Sequence, residues 1–247
     1  MGKVEEYRQA LQDLDTWDEY LKADSCLPGP RANLELAYAA GLEGTRAQLT
    51  AYAELDPGAA PRNTPEEFLA VCGVIGLGYL MARGEGDYFT VLKEKANDSR
   101  WRIREAVALG LQEYGREEME NLLLEMQEWS HGSLLERRAA VAALCEPILL
   151  TQPEHASRIL EILDGITASL QLEEQRKSDD FKTLRKGLGY GWSVAVAARM
   201  GAGKPYMEKW VGSRDLDIRW IMKNNLKKKR LLRVDEEWVE AQLSVLS

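Results

Sequence analysis

An arginine followed by apolar residues three and seven positions later occurs at four places in this chain. These are Arg104 with Val107 and Leu111, Arg137 with Ala140 and Leu144, Arg185 with Leu188 and Trp192, and Arg219 with Met222 and Leu226. Offsets of three and seven share one face of a 3.6-residue helix, so each unit presents the same apolar stripe to a neighbour. The arginines stand 33, 48 and 34 residues apart. Each opens a helical pattern that follows a shorter amphipathic stretch and a turn. A helix pair of this length cannot bury its apolar face alone, and stacked neighbours supply the missing core. The pattern predicts an all-α fold, a right-handed α-α superhelix of helix pairs without sheet.

Residue usage agrees. There are 35 Leu and 27 Ala against 12 Val and 8 Ile, and straight-chain or small side chains lose less freedom in a helix than β-branched ones. Residues 66–82 are apolar around the whole circumference, as expected of a helix buried between neighbours. Ahead of them, Thr64-Pro65-Glu66-Glu67 reads as an N-cap, a helix-starting proline and two acids at the positive helix end. Gly73, Gly76 and Gly78 then read as close-packing positions. Pro30 is expected to open a helix over Arg31–Ala40, and Gly201-Ala202-Gly203-Lys204-Pro205 to separate two helices. Residues 173–180 read as a polar loop or frayed helix end, and the 48-residue interval implies a long helix or insertion at 165–182. No breaker-rich stretch reads as a flexible linker, so residues 1–247 are expected to form one α-solenoid domain. Within it, 1–60 would be an N-terminal helical cap, 65–232 the repeats and 233–247 a C-terminal helix.

The Arg-centred units, with Asp98 ahead of Ile103-Arg104 and Asp215 ahead of Ile218-Arg219, resemble HEAT repeats. Taken whole, the chain resembles bacterial HEAT-repeat proteins of unassigned activity and, more distantly, the DNA-alkylation-repeat glycosylases. The resemblance implies a helical-repeat (armadillo-like) scaffold that binds through its concave face. The glycosylase likeness would imply DNA binding and base excision. The Asn-Trp-Asp-Leu-Val-Asp type of segment that carries an Asp beside aromatic residues in those enzymes is not found in this sequence.

Other chemistry finds little support. Two histidines, His131 and His155, and no Cys-x-x-Cys give no zinc-ligand spacing, so no metal and no cofactor are expected. Ser193 sits inside a helical pattern without Gly-x-Ser-x-Gly, and Gly203-Lys204 is followed by Pro205, so neither a hydrolase elbow nor a phosphate loop is indicated. The reading leans away from an enzyme. Three cysteines, Cys26, Cys72 and Cys145, lie far apart in apolar settings and suit a reducing cytoplasm. No run of 18 apolar residues and no apolar stretch at Met1–Tyr7 suggest a membrane span or signal peptide.

Charge is the lopsided feature. The chain carries −8 overall, yet residues 213–233 hold eight basic side chains against Asp215 and Asp217, a local +6. On a continuous helix Arg219, Lys223, Lys227 and Arg230 would share one face. If the second helix of each pair lines a concave groove, Arg104, Arg137, Arg185, Lys186, Tyr190, Trp192, Arg219, Trp220, Lys223 and Lys227 become candidate ligand-binding residues. Such a groove fits an anionic partner, either an acidic protein segment or nucleic acid. Two plainer readings compete: lysines complementing a helix C-terminus, and an Asp–Arg ladder along the stack.

Overall fold

The computed structural model describes residues 2–246. Among them are fifteen α-helices, two short 3-10 turns and no strand. Contacts divide the chain into two compact units, Met1–Glu117 and Glu118–Ser247. All eight apolar positions of the Arg-centred pattern are fully buried, from Val107 to Leu226.

The first unit holds α1 (Lys3–Gln12), α2 (Asp18–Ala23), α3 (Leu34–Glu43), α4 (Arg46–Glu54), α5 (Pro65–Ala82), α6 (Phe89–Ala96) and α7 (Trp101–Glu117). Helix α5 is its centre, packed against α2, α3, α4, α6 and α7. Thr64 caps it by accepting from the Glu67 N–H, with Pro65 in the first turn. By length and mean hydropathy α5 could cross a membrane, but 78% of it is buried inside the protein. Its glycines make the packing possible. A Cβ on Gly73 would lie 2.2 Å from the Ala53 nitrogen, and one on Gly78 would lie 2.0 Å from the Gly110 carbonyl oxygen. Here α5 meets α4 and α7 backbone to backbone.

Between α4 and α5 runs the breaker-rich stretch 56–64, which a single side chain pins. Arg100 is buried, pairs with Asp98 at 2.7 Å, and donates to the carbonyls of Leu55 (2.9 Å), Asp56 (3.3 Å) and Ala60 (3.0 Å). Helix α3 starts at Leu34, not Arg31. Asn33 supplies the cap by accepting from the Leu36 N–H, and it also donates to Tyr7 and the Asp24 carbonyl. A side-chain acceptor at Asn33 decides the start, where a proline alone would only permit one. Cys26 is exposed, at φ 61°, while Cys72 and Cys145 are buried.

The second unit holds α8 (Met119–Trp129), α9 (Leu134–Leu144), α10 (Pro153–Ser169), α11 (Asp179–Ala198), α12 (Met200–Val211), α13 (Leu216–Leu226), α14 (Lys229–Val234) and α15 (Glu236–Val245). It is built as helix pairs in two rows. Helix α10 touches α8 and α12, α11 touches α9 and α13, and α8–α9, α10–α11 and α12–α13 are the pairs. The repeating arginine is the fourth residue of α7, α9 and α13, but α11 begins one turn earlier. That extra turn, a 3-10 turn at Leu170–Leu172 and the loop 173–178 fill the long interval.

Gly201–Pro205 is not a separator: it forms the first turns of α12, with Pro205 inside the helix. The carbonyl that Pro205 leaves without its helical donor belongs to Gly201, and both residues are exposed, where an unpaired carbonyl costs little. Gly203 is buried where a Cβ would come 2.9 Å from the Val196 Cα, so α12 packs back directly on α11.

Candidate anion-binding surface

The α11–α13 contact is fixed by one buried amide. The Asn225 side chain accepts from the Ser193 N–H at 2.8 Å and donates to the Leu188 and Ile221 carbonyls, each at 2.8 Å. Its donors and acceptor are all used, which is what burial of an amide requires. With this register set, Trp220 lies against Gly189, where a Cβ would be 3.0 Å from the indole. Trp220, Lys223, Asn224 and Lys227 follow one another at helical spacing on the outer face of α13, while Ile218, Ile221, Met222, Asn225 and Leu226 are buried beneath.

The continuous basic stripe does not exist as one helix face. Helix α13 ends at Leu226, Lys227 is its C-cap, and α14 starts at Lys229. Lys223 and Lys227 therefore complement the negative end of α13. Arg230 belongs to a new helix, which brings it to α11 from another direction. Its guanidinium lies 4.5 Å from the Tyr190 ring centre and donates to the phenol oxygen at 2.6 Å, and Lys228 lies 5.6 Å from the same ring. Tyr190 is 48% exposed. Arg185 is held over Trp220 at 4.5 Å and pairs with Asp217 at 2.5 Å.

The two acids of the basic segment are already engaged. Asp215 caps α13 and pairs with Arg176 at 2.6 Å, and Asp217 pairs with Arg176 and Arg185. The Arg176 hydrogen bond, stronger here than the opposing effect of burial, holds the Asp215 carboxyl below its usual range. Among the described residues no carboxylate lies within ion-pair distance of Lys223, Lys227, Lys228, Lys229, Arg230 or Arg233. Lys229 and Arg230 also stand in the first turn of α14, where the helix dipole is positive and no acid is present. Six cations thus lie within residues 223–233 with helix-end and ring contacts but no carboxylate to offset their mutual repulsion among the described residues.

Of the ten candidates, Arg185, Lys186 and Tyr190 lie on α11, Trp220 and Lys223 on α13, and Lys227 at the C-cap of α13. Trp192 does not belong with them: it is buried, its indole N–H donating to Thr167 at 3.0 Å. As the seventh position of the Arg pattern it faces the core by the same rule that found the repeat. Arg137 bonds the Gly132 carbonyl and Ser169, and Arg219 reaches the Val245 carbonyl at 3.4 Å. Arg104 belongs to the first unit and donates to the Asp98 carbonyl at 2.6 Å. Each of these three serves a local turn or helix end. Arg230 was read as part of the basic stripe but not as a groove residue, and Lys228 was not singled out, although the run Lys227–Arg230 was the signal that could have found both.

Among the described residues no three His, Cys, Asp or Glu side chains converge to hold a metal. His155 lies 2.9 Å from Glu120, which also pairs with Arg158. No protein-family model, curated protein or solved structure matches the chain.

Proposed function

We propose that this protein is a non-enzymatic helical-repeat binding scaffold, HEAT-like in its helix pairs, whose α11–α13–α14 surface holds an acidic protein segment. The two rows of the second unit, with an arginine at the fourth position of α9 and α13, support the repeat reading. The observation that carries the function is the set of six cations that, among the described residues, have no carboxylate within ion-pair distance once Asp215 and Asp217 are taken up by Arg176 and Arg185.

Acidic peptide is favoured over nucleic acid by how the rings are used. Guanidinium and ammonium groups already cover Tyr190, and Arg185 lies over Trp220. Cations stacked on rings are pre-positioned to meet carboxylates, but rings so covered have less free surface for bases.

The test is titration of a labelled ten-residue glutamate-rich peptide, single-stranded DNA and duplex DNA against the full chain at two salt concentrations. The peptide is expected to bind, and Lys223→Glu with Lys227→Glu to weaken it about tenfold or more through reversal of two charges. Tighter binding of duplex, with a log–log salt slope of roughly 0.9 per phosphate contacted, would replace the peptide reading with nucleic acid. Binding of none of the three by the folded protein would withdraw it.

A further inference from the structure

The first unit carries an acidic counterpart to the basic surface of the second. Between α1 and α2 runs the segment Asp13-Leu14-Asp15-Thr16-Trp17, and Asp18 and Glu19 follow it in the first turn of α2. Residues 13–19 hold four acids and no basic side chain. We propose that this segment of one copy occupies the α11–α13–α14 surface of a second copy, so that the protein associates head to tail. The inference rests on the reading of that surface as one that holds acidic protein, and it names a partner for it.

Three observations select the segment. The first is that its charge is available. Asp13 and Asp15 are exposed, and among the described residues no cation lies within ion-pair distance of either. Asp13 is the C-cap of α1, whose last turn holds no basic residue, so its charge adds to the negative helix end instead of offsetting it. The other dense acidic run, Asp235–Glu240, is engaged at home. Asp235 pairs with Lys204 and caps α15, and Glu236 and Glu237 stand at the positive start of that helix.

The second is presentation. Trp17 is buried, and its indole N–H donates to the carbonyl of buried Leu11 at 2.9 Å, so the segment is pinned at both ends. A loop already held in shape loses little freedom on binding. Beside it a cleft of about 700 Å³ is lined by Asp15, Asp18 and Glu43 and by no lysine or arginine, which gives room for a long basic side chain.

The third is the match. Leu14 is 38% exposed between the carboxylates of Asp13 and Asp15, and Trp220 is 36% exposed with Lys223 and Lys227 after it on the outer face of α13. An apolar contact inside a polar, charge-matched rim is how protein interfaces are built. Each copy carries −8, a repulsion that a screening length of about 10 Å at 0.1 M salt largely removes beyond contact range. The contact joins two different surfaces, so it is heterologous and ends in a closed ring or continues as a chain.

The experiment is sedimentation velocity of the full chain over a range of concentrations, in about 0.1 M and about 1 M salt, where the screening length is roughly 10 Å and 3 Å. The parent is expected to associate at the lower salt and to be monomeric at the higher. Asp13→Lys with Asp15→Lys, and separately Lys223→Glu with Lys227→Glu, should each weaken self-association about tenfold or more. Mixed together, the two variants should form a complex again, because the first retains the basic surface and the second the acidic segment. The glutamate-rich peptide should dissociate the parent assembly by taking the same surface. A parent monomeric at both salts, association unchanged by Asp13→Lys with Asp15→Lys, or no complex in the mixture would overturn the inference. Peptide binding by a monomeric parent would leave the functional reading standing, and absence of peptide binding as well would remove both.

Discussion

The two units solve the same problem, burying amphipathic helices, with different means. The first surrounds a single helix, α5, that is apolar on every side, and it lets neighbours touch that helix at glycines. The second has no such centre: its helices pair in rows, and the contact between α11 and α13 is keyed by a buried amide and an indole edge. Charge follows the same division. The first unit carries −7, while the second has 19 basic against 20 acidic side chains and concentrates its cations on one surface. An all-apolar helix leaves charge to accumulate only on outer helices. Rows of amphipathic pairs give every helix a solvent face that can be specialised.

The sharpest test of this contrast is a pair of alanines. Gly78→Ala places a methyl group 2.0 Å from a backbone oxygen that cannot swing away, and urea unfolding should show a loss of about 3 kcal/mol. Gly189→Ala meets the edge of a partly exposed indole at 3.0 Å, which can yield, and helix propensity favours alanine by about 1 kcal/mol. Equal losses would erase the distinction.

Arginine clamps offer the second comparison. Arg100→Met strands buried Asp98 and frees three loop carbonyls, so thermal melts should report a loss of roughly 3 kcal/mol. Arg176→Met in the second unit should lose only about 1 kcal/mol, because that side chain is 29% exposed and water can replace it. Between these lies Asn225→Ala, expected to lose about 2 kcal/mol by emptying a buried volume and removing three bonds.

Acid should act on the second unit through Asp215. Its folded pKa lies below the unfolded value, so its contribution is present in full above the unfolded pKa of about 4 and is lost as pH falls through the lower folded value. Stability measured from pH 6 to pH 2 should therefore drop below about pH 4, and more shallowly once Arg176→Met has removed the partner. The smallest effect is expected from Lys223→Glu with Lys227→Glu, within about 1 kcal/mol of the parent, since lost complementation of the α13 end is offset by relief of repulsion among neighbouring cations. A large loss would mean that these lysines serve the fold and not a partner.

Much of this architecture was legible as periodicity. The eight positions at +3 and +7 are buried because helical geometry puts them on one face, and that argument needs no coordinates. Residues 66–82 declared themselves the same way, as did the Thr64-Pro65 start. The candidate surface was only partly legible. Its six cations could be counted, but the break between Lys227 and Lys229 that turns Arg230 onto Tyr190 has no signal in spacing. Trp192 shows the limit from the other side, since an aromatic near basic residues reads equally as platform or core until its neighbours are known.

The sequence by itself determined the helical class, the buried stripe and the excess of positive charge in residues 213–233, because these depend on composition and on offsets along one helix. Tertiary structure alone decided which acids neutralise which arginines, and that Leu34 and Trp101 line one cleft. Asp217 lies 32 residues from Arg185, and Glu67 lies 35 from Arg102. Electrostatic pairing and cavity shape depend on distance in space, which helix spacing does not encode across a turn.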